Sequence, residues 1–239
     1  PDAMAQPDII VTAPLPPFLY DPLRADYRCH DYHAASHKPG LLAAEGARIR
    51  GLVQGGGTVT PTSLLDALPK LEIISVFGVG YDGIDVAAAR ERGVVVTHTP
   101  NVLTDDVADL AMALTLAVSR RIVPADRHVR SRAWANGAFP FSRKVSGSKL
   151  GIIGLGRIGR AITRRAAAFD MSISYTDRCE IPGVPFPFFP TAAALAAEVD
   201  YLVVAAYGGP TTQGLVNAEV LDALGPDGYL INIARGSVV

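Results

Sequence analysis

Short apolar segments rich in β-branched residues alternate along the chain with longer segments rich in alanine and leucine. The short segments have the length and composition of strands buried on both faces, which is typical of parallel sheets covered by helices. The expected fold class is α/β, with doubly wound parallel sheets of the Rossmann-like or flavodoxin-like type. We predict strands at residues 9–12, 49–53, 71–76, 94–97, 150–153, 172–175, 201–205 and 229–233.

A break between two such α/β units falls near residue 98. Pro100 disfavours helical backbone at Thr99, so the helix that follows has to begin afresh. We therefore predict one domain at residues 5–98 and a second at residues 99–239. The Pro- and Phe-rich residues 181–190 are too few to link two domains, and they predict a loop with one short strand.

The composition is that of a folded globular protein of balanced charge. Of 239 residues, 49% are hydrophobic, and 22 Lys and Arg face 23 Asp and Glu, which argues against nucleic acid or a membrane surface as a partner. The longest apolar run, residues 110–118, is far shorter than the ~20 residues that cross a bilayer and predicts a core helix. Cys29 and Cys179 are too distant for a disulfide framework or a zinc site, so we expect a cytoplasmic protein without a metal.

A glycine-rich motif, G-x-G-x-x-G, follows one predicted strand and precedes an alanine-rich predicted helix. We predict that Gly154 permits a tight turn, that Gly156 lets backbone N–H groups approach a pyrophosphate, and that Gly159 allows the helix to pack closely. Asp177 follows the next strand, about 20 residues on, where a carboxylate can accept hydrogen bonds from the adenosine ribose. Together these signals predict a dinucleotide site; the alternatives are a turn without a ligand and an S-adenosylmethionine site.

Two adjacent residues favour different cofactors. The Asp177 carboxylate would repel a 2′-phosphate at close range and so favours NAD, whereas the Arg178 guanidinium can pair with that phosphate and accept NADP. Arg178 also fits a solvated surface position. The sequence therefore predicts NAD or NADP and leaves the choice between them open.

Four motifs, taken in order, resemble the D-isomer-specific 2-hydroxyacid dehydrogenases, in particular their glyoxylate/hydroxypyruvate and hydroxyphenylpyruvate reductase branch. They are FGVGYDGID at residues 77–85, TPNVLTDDVAD at 99–109, the glycine-rich motif, and LINIARG at 230–236. The resemblance covers nearly the whole chain. It implies NAD(P)H-dependent reduction of a small 2-oxoacid, such as hydroxypyruvate, glyoxylate or an arylpyruvate, to the D-2-hydroxyacid. It also implies a first domain for substrate, a second for coenzyme, and an active-site cleft between them.

The resemblance assigns roles to individual residues. Arg235 is expected to hold the carboxylate and carbonyl oxygen of the substrate, because its guanidinium stays protonated and can polarise the carbonyl. The backbone N–H groups of Val79 and Gly80 are expected to receive the substrate carboxylate. A plain turn is the alternative at both places. The expected cofactor contacts are Gly154, Leu155, Gly156, Arg157, Ile158, Gly159, Asp177, Arg178, Thr104, Ile233 and Ala234.

Two regions, around Thr104 and around Trp134, have a simpler structural interpretation beside the functional one. Thr104, Asp105 and Asp106 fit an N-cap hydroxyl followed by acids at a helix start, so Thr104 is a weaker cofactor candidate. Trp134 follows a predicted helix at residues 124–133, in a region that related enzymes use as a dimer contact. We therefore expect a homodimer, although packing of Trp134 in the core fits the sequence as well.

The proton donor that ketone reduction needs is not apparent. None of the five histidines fits the role, and His98, near the predicted domain break, is expected to be packed or on the surface. In the resembled family an Arg is followed by a Glu and then a His, and we expect both beyond Val239. Residues 207–210 also depart from the family's usual Cys-Pro-Leu-like loop. The alternative function is a nicotinamide-responsive binding protein, like the corepressors of the same fold.

Overall fold

The computed structural model of the chain describes residues 6–239, which form two compact units. The first unit ends at Val102, and the second runs from Leu103 to Val239. Each contains one parallel sheet with helices, which confirms the predicted α/β class. The predicted domain start at residue 5 lies outside the described residues.

The sheet of the first unit has five parallel strands in the order β2-β1-β3-β4-β5. The strands are β1 Asp8–Val11, β2 Arg28–Asp31, β3 Ile49–Gly55, β4 Ile73–Phe77 and β5 Val95–Thr97. Four helices connect them: α1 Pro17–Asp26, α2 Lys38–Glu45, α3 Thr62–Asp66 and α4 Val86–Glu91. This is the flavodoxin-like strand order, in which ligands bind outside the carboxyl ends of the strands.

The sheet of the second unit has four parallel strands in the order β7-β6-β8-β9. The strands are β6 Lys149–Ile153, β7 Ser172–Thr176, β8 Tyr201–Val204 and β9 Tyr229–Asn232. Five helices accompany them: α5 Thr104–Ser119, α6 Ile122–Arg130, α7 Arg157–Ala167, α8 Ala192–Ala196 and α9 Ala218–Leu224. Single 3-10 turns lie at Ala133–Asn136, Pro210–Thr212 and Gly236–Val238.

Helices cover both faces of this second sheet. On one face, residues of α5 and α7 such as Met112 and Ile162 pack with Ile152 of β6 in one buried cluster. On the other face, Leu195 of α8 and Val220 of α9 pack with β8 residues in a second cluster. All four residues of β8 are buried, as expected for a continuous apolar strand inside a parallel sheet.

An ion-pair network joins α5 to α7 at the surface. Arg165 donates to Asp109 at 2.5 Å and to Asp105 at 3.1 Å. The hydrogen bond that Arg165 donates to Asp109 is the main reason that the pKa of the Arg165 guanidinium is raised. The pairs join the last turn of α7 to the first half of α5.

Several predicted elements differ from those observed. Strand β2 was not predicted, because its sequence RCHD is polar and, as an edge strand, it pairs with β1 alone. The helix predicted from Pro124 begins at Ile122, because proline within a first turn breaks no hydrogen bond. Residues 181–190 contribute only a single bridge, between Phe188 and Tyr175, rather than a strand.

The core helix predicted at residues 110–118 is confirmed as part of α5, and it packs against the core with one face rather than on all sides. Ala108, Ala111 and Met112 face the core, whereas Leu110 and Leu114 are exposed. The run is apolar all round, and an apolar run alone does not say which of its faces the protein covers. Within residues 6–239, no helix is long and apolar enough to span a bilayer.

Candidate functional site

The glycine-rich motif forms the turn from β6 into α7, with the geometry predicted for its three glycines. Gly154 has a φ of 92°, and a Cβ there would lie 2.7 Å from the Cα of Ala206, so the turn requires glycine. A Cβ on Gly159 would overlap the Gly154 carbonyl oxygen. A Cβ on Gly156 would meet nothing within 4 Å, so the space in front of the α7 N-terminus is open. A phosphate fits there, because the first N–H groups of a helix lack partners within that helix.

Asp177 lies against this turn rather than pointing away from it. One carboxylate oxygen accepts a hydrogen bond from the N–H of Leu155 at 2.9 Å, and the other accepts from the N–H of Arg178 at 2.8 Å. An ionised carboxylate has about four acceptor sites, so both oxygens keep capacity for further donors such as ribose hydroxyls. Asp177 therefore braces the turn and remains able to bind a ligand.

Four other predicted cofactor residues of the second unit lie at three places: the start of α7, the end of β7 and the start of α5. Arg157 and Ile158 begin α7, and Arg178 is exposed beyond the end of β7. Thr104 is the first residue of α5, but Leu103 is the N-cap and no side chain caps the helix, so the prediction of Thr104 as an N-cap hydroxyl was wrong. The acids that follow Thr104 do lie in the first turn, where the helix dipole favours them.

Arg235 follows β9 at the same carboxyl edge of the sheet as the glycine-rich turn. Asn232 fixes the connecting residues: its side-chain amide donates to the Arg235 carbonyl at 2.8 Å, and its oxygen accepts from the Ala234 N–H at 2.9 Å. The Arg235 guanidinium itself donates to the Ala234 carbonyl at 3.0 Å. Ile233 and Ala234 are thereby held in one defined conformation. Sequence reasoning did not single out Asn232, although an Asn just before a turn is a common signal for it.

The strand order separates these residues along the edge of the sheet. Asp177 follows β7 at one side and Arg235 follows β9 at the other, with β6 and β8 between them. Three strand spacings of about 4.8 Å place the two strands about 14 Å apart. An elongated ligand can therefore extend along this edge of the sheet.

In the first unit, Val79 and Gly80 lie in the loop that leaves β4 at its carboxyl edge. The Gly78 carbonyl accepts a hydrogen bond from the N–H of Thr99 at 2.9 Å, and the Val79 carbonyl bonds to Nδ1 of His98, also at 2.9 Å. Within residues 6–239, we find no hydrogen bond donated by the N–H of Val79 or of Gly80. The carbonyl groups of Gly78 and Val79 are therefore hydrogen-bonded within the first unit, whereas the N–H groups of Val79 and Gly80 remain available to a ligand.

A second loop packs against this one. The N–H of Gly56 donates to the Phe77 carbonyl at 3.0 Å, and the N–H of Thr60 donates to the Gly83 carbonyl at 2.8 Å. Buried Gln54 bonds to the Thr60 hydroxyl and donates to the Thr58 carbonyl, which closes the second loop on itself. This role of Gln54 was not predicted, since a lone glutamine near the end of a strand has no distinctive sequence pattern.

A cluster of possible metal ligands lies elsewhere in this unit. Ligand atoms of Asp8, His30 and Glu45 lie within 4.8 Å of one another. Arg48 pairs with Glu45, and Arg28 lies 3.7 Å from Asp8, so guanidinium groups already balance the carboxylates. Asp8 begins β1, at the amino end of the sheet, far from the loops that carry Val79 and Gly80. We interpret the cluster as an ion-pair network.

Comparison with known proteins adds independent evidence. A family model described as the NAD binding domain of D-isomer specific 2-hydroxyacid dehydrogenases matches residues 112–239. A hydroxyphenylpyruvate reductase from Plectranthus scutellarioides is 45% identical over 228 residues, which are 95% of this chain and 73% of that protein. The matched residues include the glycine-rich turn, Asp177 and Arg235.

Two crystal structures resemble the chain closely. A 2-hydroxyacid dehydrogenase from Ketogulonicigenium vulgare Y25 has a TM-score of 0.88 and 44% identity, covering 98% of this chain and 74% of that one. The second is an NADPH-dependent glyoxylate/hydroxypyruvate reductase from Sinorhizobium meliloti in complex with NADP and malonate. It has a TM-score of 0.88 and 40% identity, covering 98% of this chain and 73% of that one.

Proposed function

Because this chain belongs to the D-isomer-specific 2-hydroxyacid dehydrogenase family, it is an NAD(P)-dependent oxidoreductase for 2-oxoacids, and we propose which of its residues perform the reduction. The family predicted from four motifs is thereby confirmed. The observation that supports the proposal most directly is the glycine-rich turn, with its open space at the α7 N-terminus and Asp177 beside it.

We assign coenzyme binding to the second unit. The N-terminus of α7 and the N–H groups after Gly156 would hold the pyrophosphate, with Arg157 and Ile158 at the first turn. Asp177 would accept hydrogen bonds from the ribose hydroxyls, and Arg178 would pair with the 2′-phosphate of NADP. Ile233, Ala234 and, more weakly, Thr104 would line the nicotinamide side.

We assign substrate binding to the first unit and activation of the carbonyl to Arg235. The N–H groups of Val79 and Gly80 would donate to the carboxylate of the 2-oxoacid. The Arg235 guanidinium would hold the substrate and stabilise the negative charge that develops on the carbonyl oxygen, since it presents a planar fork of N–H donors. When bound, the reduced nicotinamide supplies the hydride for the carbonyl carbon.

The test is consumption of NADH and NADPH, followed by loss of absorbance, with hydroxypyruvate, glyoxylate and phenylpyruvate as separate substrates. We expect turnover with at least one of them and a D-2-hydroxyacid product on chiral chromatography. Nucleotide binding without turnover of any 2-oxoacid would contradict the assigned reaction, and an L-product would contradict its stereochemistry.

We also propose that the protein is a homodimer that pairs through α5. Leu110, Leu114 and Val118 are 53%, 41% and 45% exposed, and their spacing of four residues places them in one stripe. Trp134 is 62% exposed, so its packing in the core, the alternative reading of the sequence, is wrong. Contiguous exposed apolar surface of this kind marks protein interfaces.

The dimer is tested by sedimentation velocity over a range of concentrations. Leu114→Glu places a charge in the middle of the stripe and should give monomers. Leu221→Glu is the matched control, because Leu221 is an equally exposed leucine, 42%, on α9. A monomeric wild-type protein, or a Leu114→Glu variant that stays dimeric, would contradict the proposed interface.

A further inference from the structure

The orientation of the Val79 and Gly80 N–H groups is set by the residues behind them. In a planar trans peptide, the C=O of one residue and the N–H of the next point in opposite directions. The Gly78 carbonyl points to the Thr99 N–H, so the Val79 N–H points away from Thr99. The Val79 carbonyl points to His98, so the Gly80 N–H points away from His98. Both N–H groups are thus directed to the side of the loop opposite residues 98–99.

His98 contacts the Val79 carbonyl through its side chain, whereas Thr99 contacts the Gly78 carbonyl through its backbone N–H. Its Nδ1 lies 2.9 Å from the Val79 carbonyl oxygen, which can only accept, so Nδ1 carries the hydrogen. The imidazole also packs edge to face on Tyr81, with ring centroids 4.9 Å apart. The ring is therefore held from within the same loop whose peptide it orients.

We propose that His98 is a positioning residue for the substrate carboxylate, acting through the Val79–Gly80 peptide. This rests on the proposed function, in which those N–H groups bind the 2-oxoacid. The bond fixes one peptide plane in advance, so less orientational freedom is lost when the carboxylate binds. His98 touches neither the substrate nor the cofactor in this role, so it differs from the proton-donating histidine that the family resemblance implies.

The geometry predicts which substitutions preserve the role. Asparagine places its amide nitrogen at the δ position, as many bonds from Cα as the Nδ1 of histidine, and can donate to the same carbonyl. Glutamine places its nitrogen one bond farther, at the ε position. Alanine removes the donor altogether. His98→Asn should therefore restore what His98→Ala loses, and His98→Gln should restore it less.

The test uses the whole protein with NADH or NADPH bound, and oxamate, a non-reducible isostere of a 2-oxoacid, as the probe. We expect His98→Ala to weaken oxamate binding by about five- to tenfold in calorimetry, as for the loss of one hydrogen bond. The KM of the 2-oxoacid should rise by the same factor, while kcat and the Kd of the reduced nucleotide change less than twofold. Thermal melting of each variant, read separately, shows whether the fold is intact.

Each outcome has a distinct meaning. Unchanged oxamate affinity in a folded His98→Ala variant would overturn the proposal, as would rescue by Gln but not by Asn. A lower melting temperature with unchanged oxamate binding would make His98 a purely structural residue and would also overturn it. If the wild-type protein binds nucleotide but neither binds oxamate nor turns over a 2-oxoacid, the proposed function itself fails.

Discussion

Removing the Asp177 carboxylate should change the affinity for NADH more than that for NADPH. In the described structure, this carboxylate accepts from the N–H groups of Leu155 and Arg178 at 2.9 and 2.8 Å, and it keeps capacity for the ribose hydroxyls. Asp177→Ala therefore removes both a brace of the glycine-rich turn and an acceptor for the ribose. The first loss affects both nucleotides, whereas the second affects only the one with a free 2′-hydroxyl.

The size of the effect follows from the charge on the acceptor. A hydrogen bond to an ionised group contributes about 1.5–3 kcal/mol, which corresponds to about a 10- to 150-fold change in Kd. Asp177 is partly exposed, so we expect the lower end, about tenfold weaker NADH binding. The affinity for NADPH should fall less than that for NADH, or rise, because the variant no longer places a carboxylate near the 2′-phosphate.

The assay is titration of nucleotide fluorescence for both cofactors, with three variants. Asp177→Asn keeps a neutral acceptor, so its affinity for NADH should lie between that of the wild-type protein and that of Asp177→Ala. Arg178→Ala is the matched neighbour, and it should weaken NADPH binding while leaving NADH binding nearly unchanged. If Asp177→Ala lowers the affinity for both nucleotides equally, Asp177 acts only by bracing the turn. Unchanged NADH affinity would refute the assignment of this residue.

Two further predictions concern the first unit. Gly56→Ala adds a Cβ 3.3 Å from the Cα of Gly78 and should raise the KM of the 2-oxoacid several-fold. Gly57→Ala is the control, because its Cβ meets nothing within 4 Å, and it should leave that KM unchanged. Equal KM values for the two variants would contradict the placement of the carboxylate site. Burial and the hydrogen bond to Asp31 raise the pKa of Tyr20 from 10.0 to about 12, so the stability that its phenol contributes is present below about pH 10 and lost as the pH rises towards 12. Urea unfolding should therefore separate the wild-type protein from Tyr20→Phe more at about pH 8 than at about pH 11, and a pH-independent difference would argue against this.

The sequence was most informative where a local pattern and a buried position coincide. Strands β6 and β8 are buried on both faces, so their apolar runs predicted them within one or two residues. The turn at Gly154 was predictable because its positive φ and the close approach of Ala206 both require glycine. An edge strand such as β2 shows neither signal, because one side of it has no partner strand.

The site was less predictable where a role depends on contacts distant in sequence. His98 lies 19 residues from Val79, and nothing in the sequence says that its ring turns towards that carbonyl. Gln54 likewise acts through a loop whose path is set by packing against the β4 loop. The motif predicts Asp177 as an acceptor for the ribose hydroxyls, and its bond to the Leu155 N–H adds a bracing role that the motif does not reveal.

Arg235 is proposed to activate the carbonyl of a 2-oxoacid in this NAD(P)H-dependent reductase. The most direct test compares nicotinamide oxidation by the wild-type protein and by Arg235→Ala, with hydroxypyruvate as substrate and nucleotide affinity measured in parallel. We predict a loss of about 10²-fold or more in turnover, as for other groups that stabilise a developing oxyanion, with the Kd of the nucleotide unchanged. Turnover that is undiminished in Arg235→Ala would contradict the account.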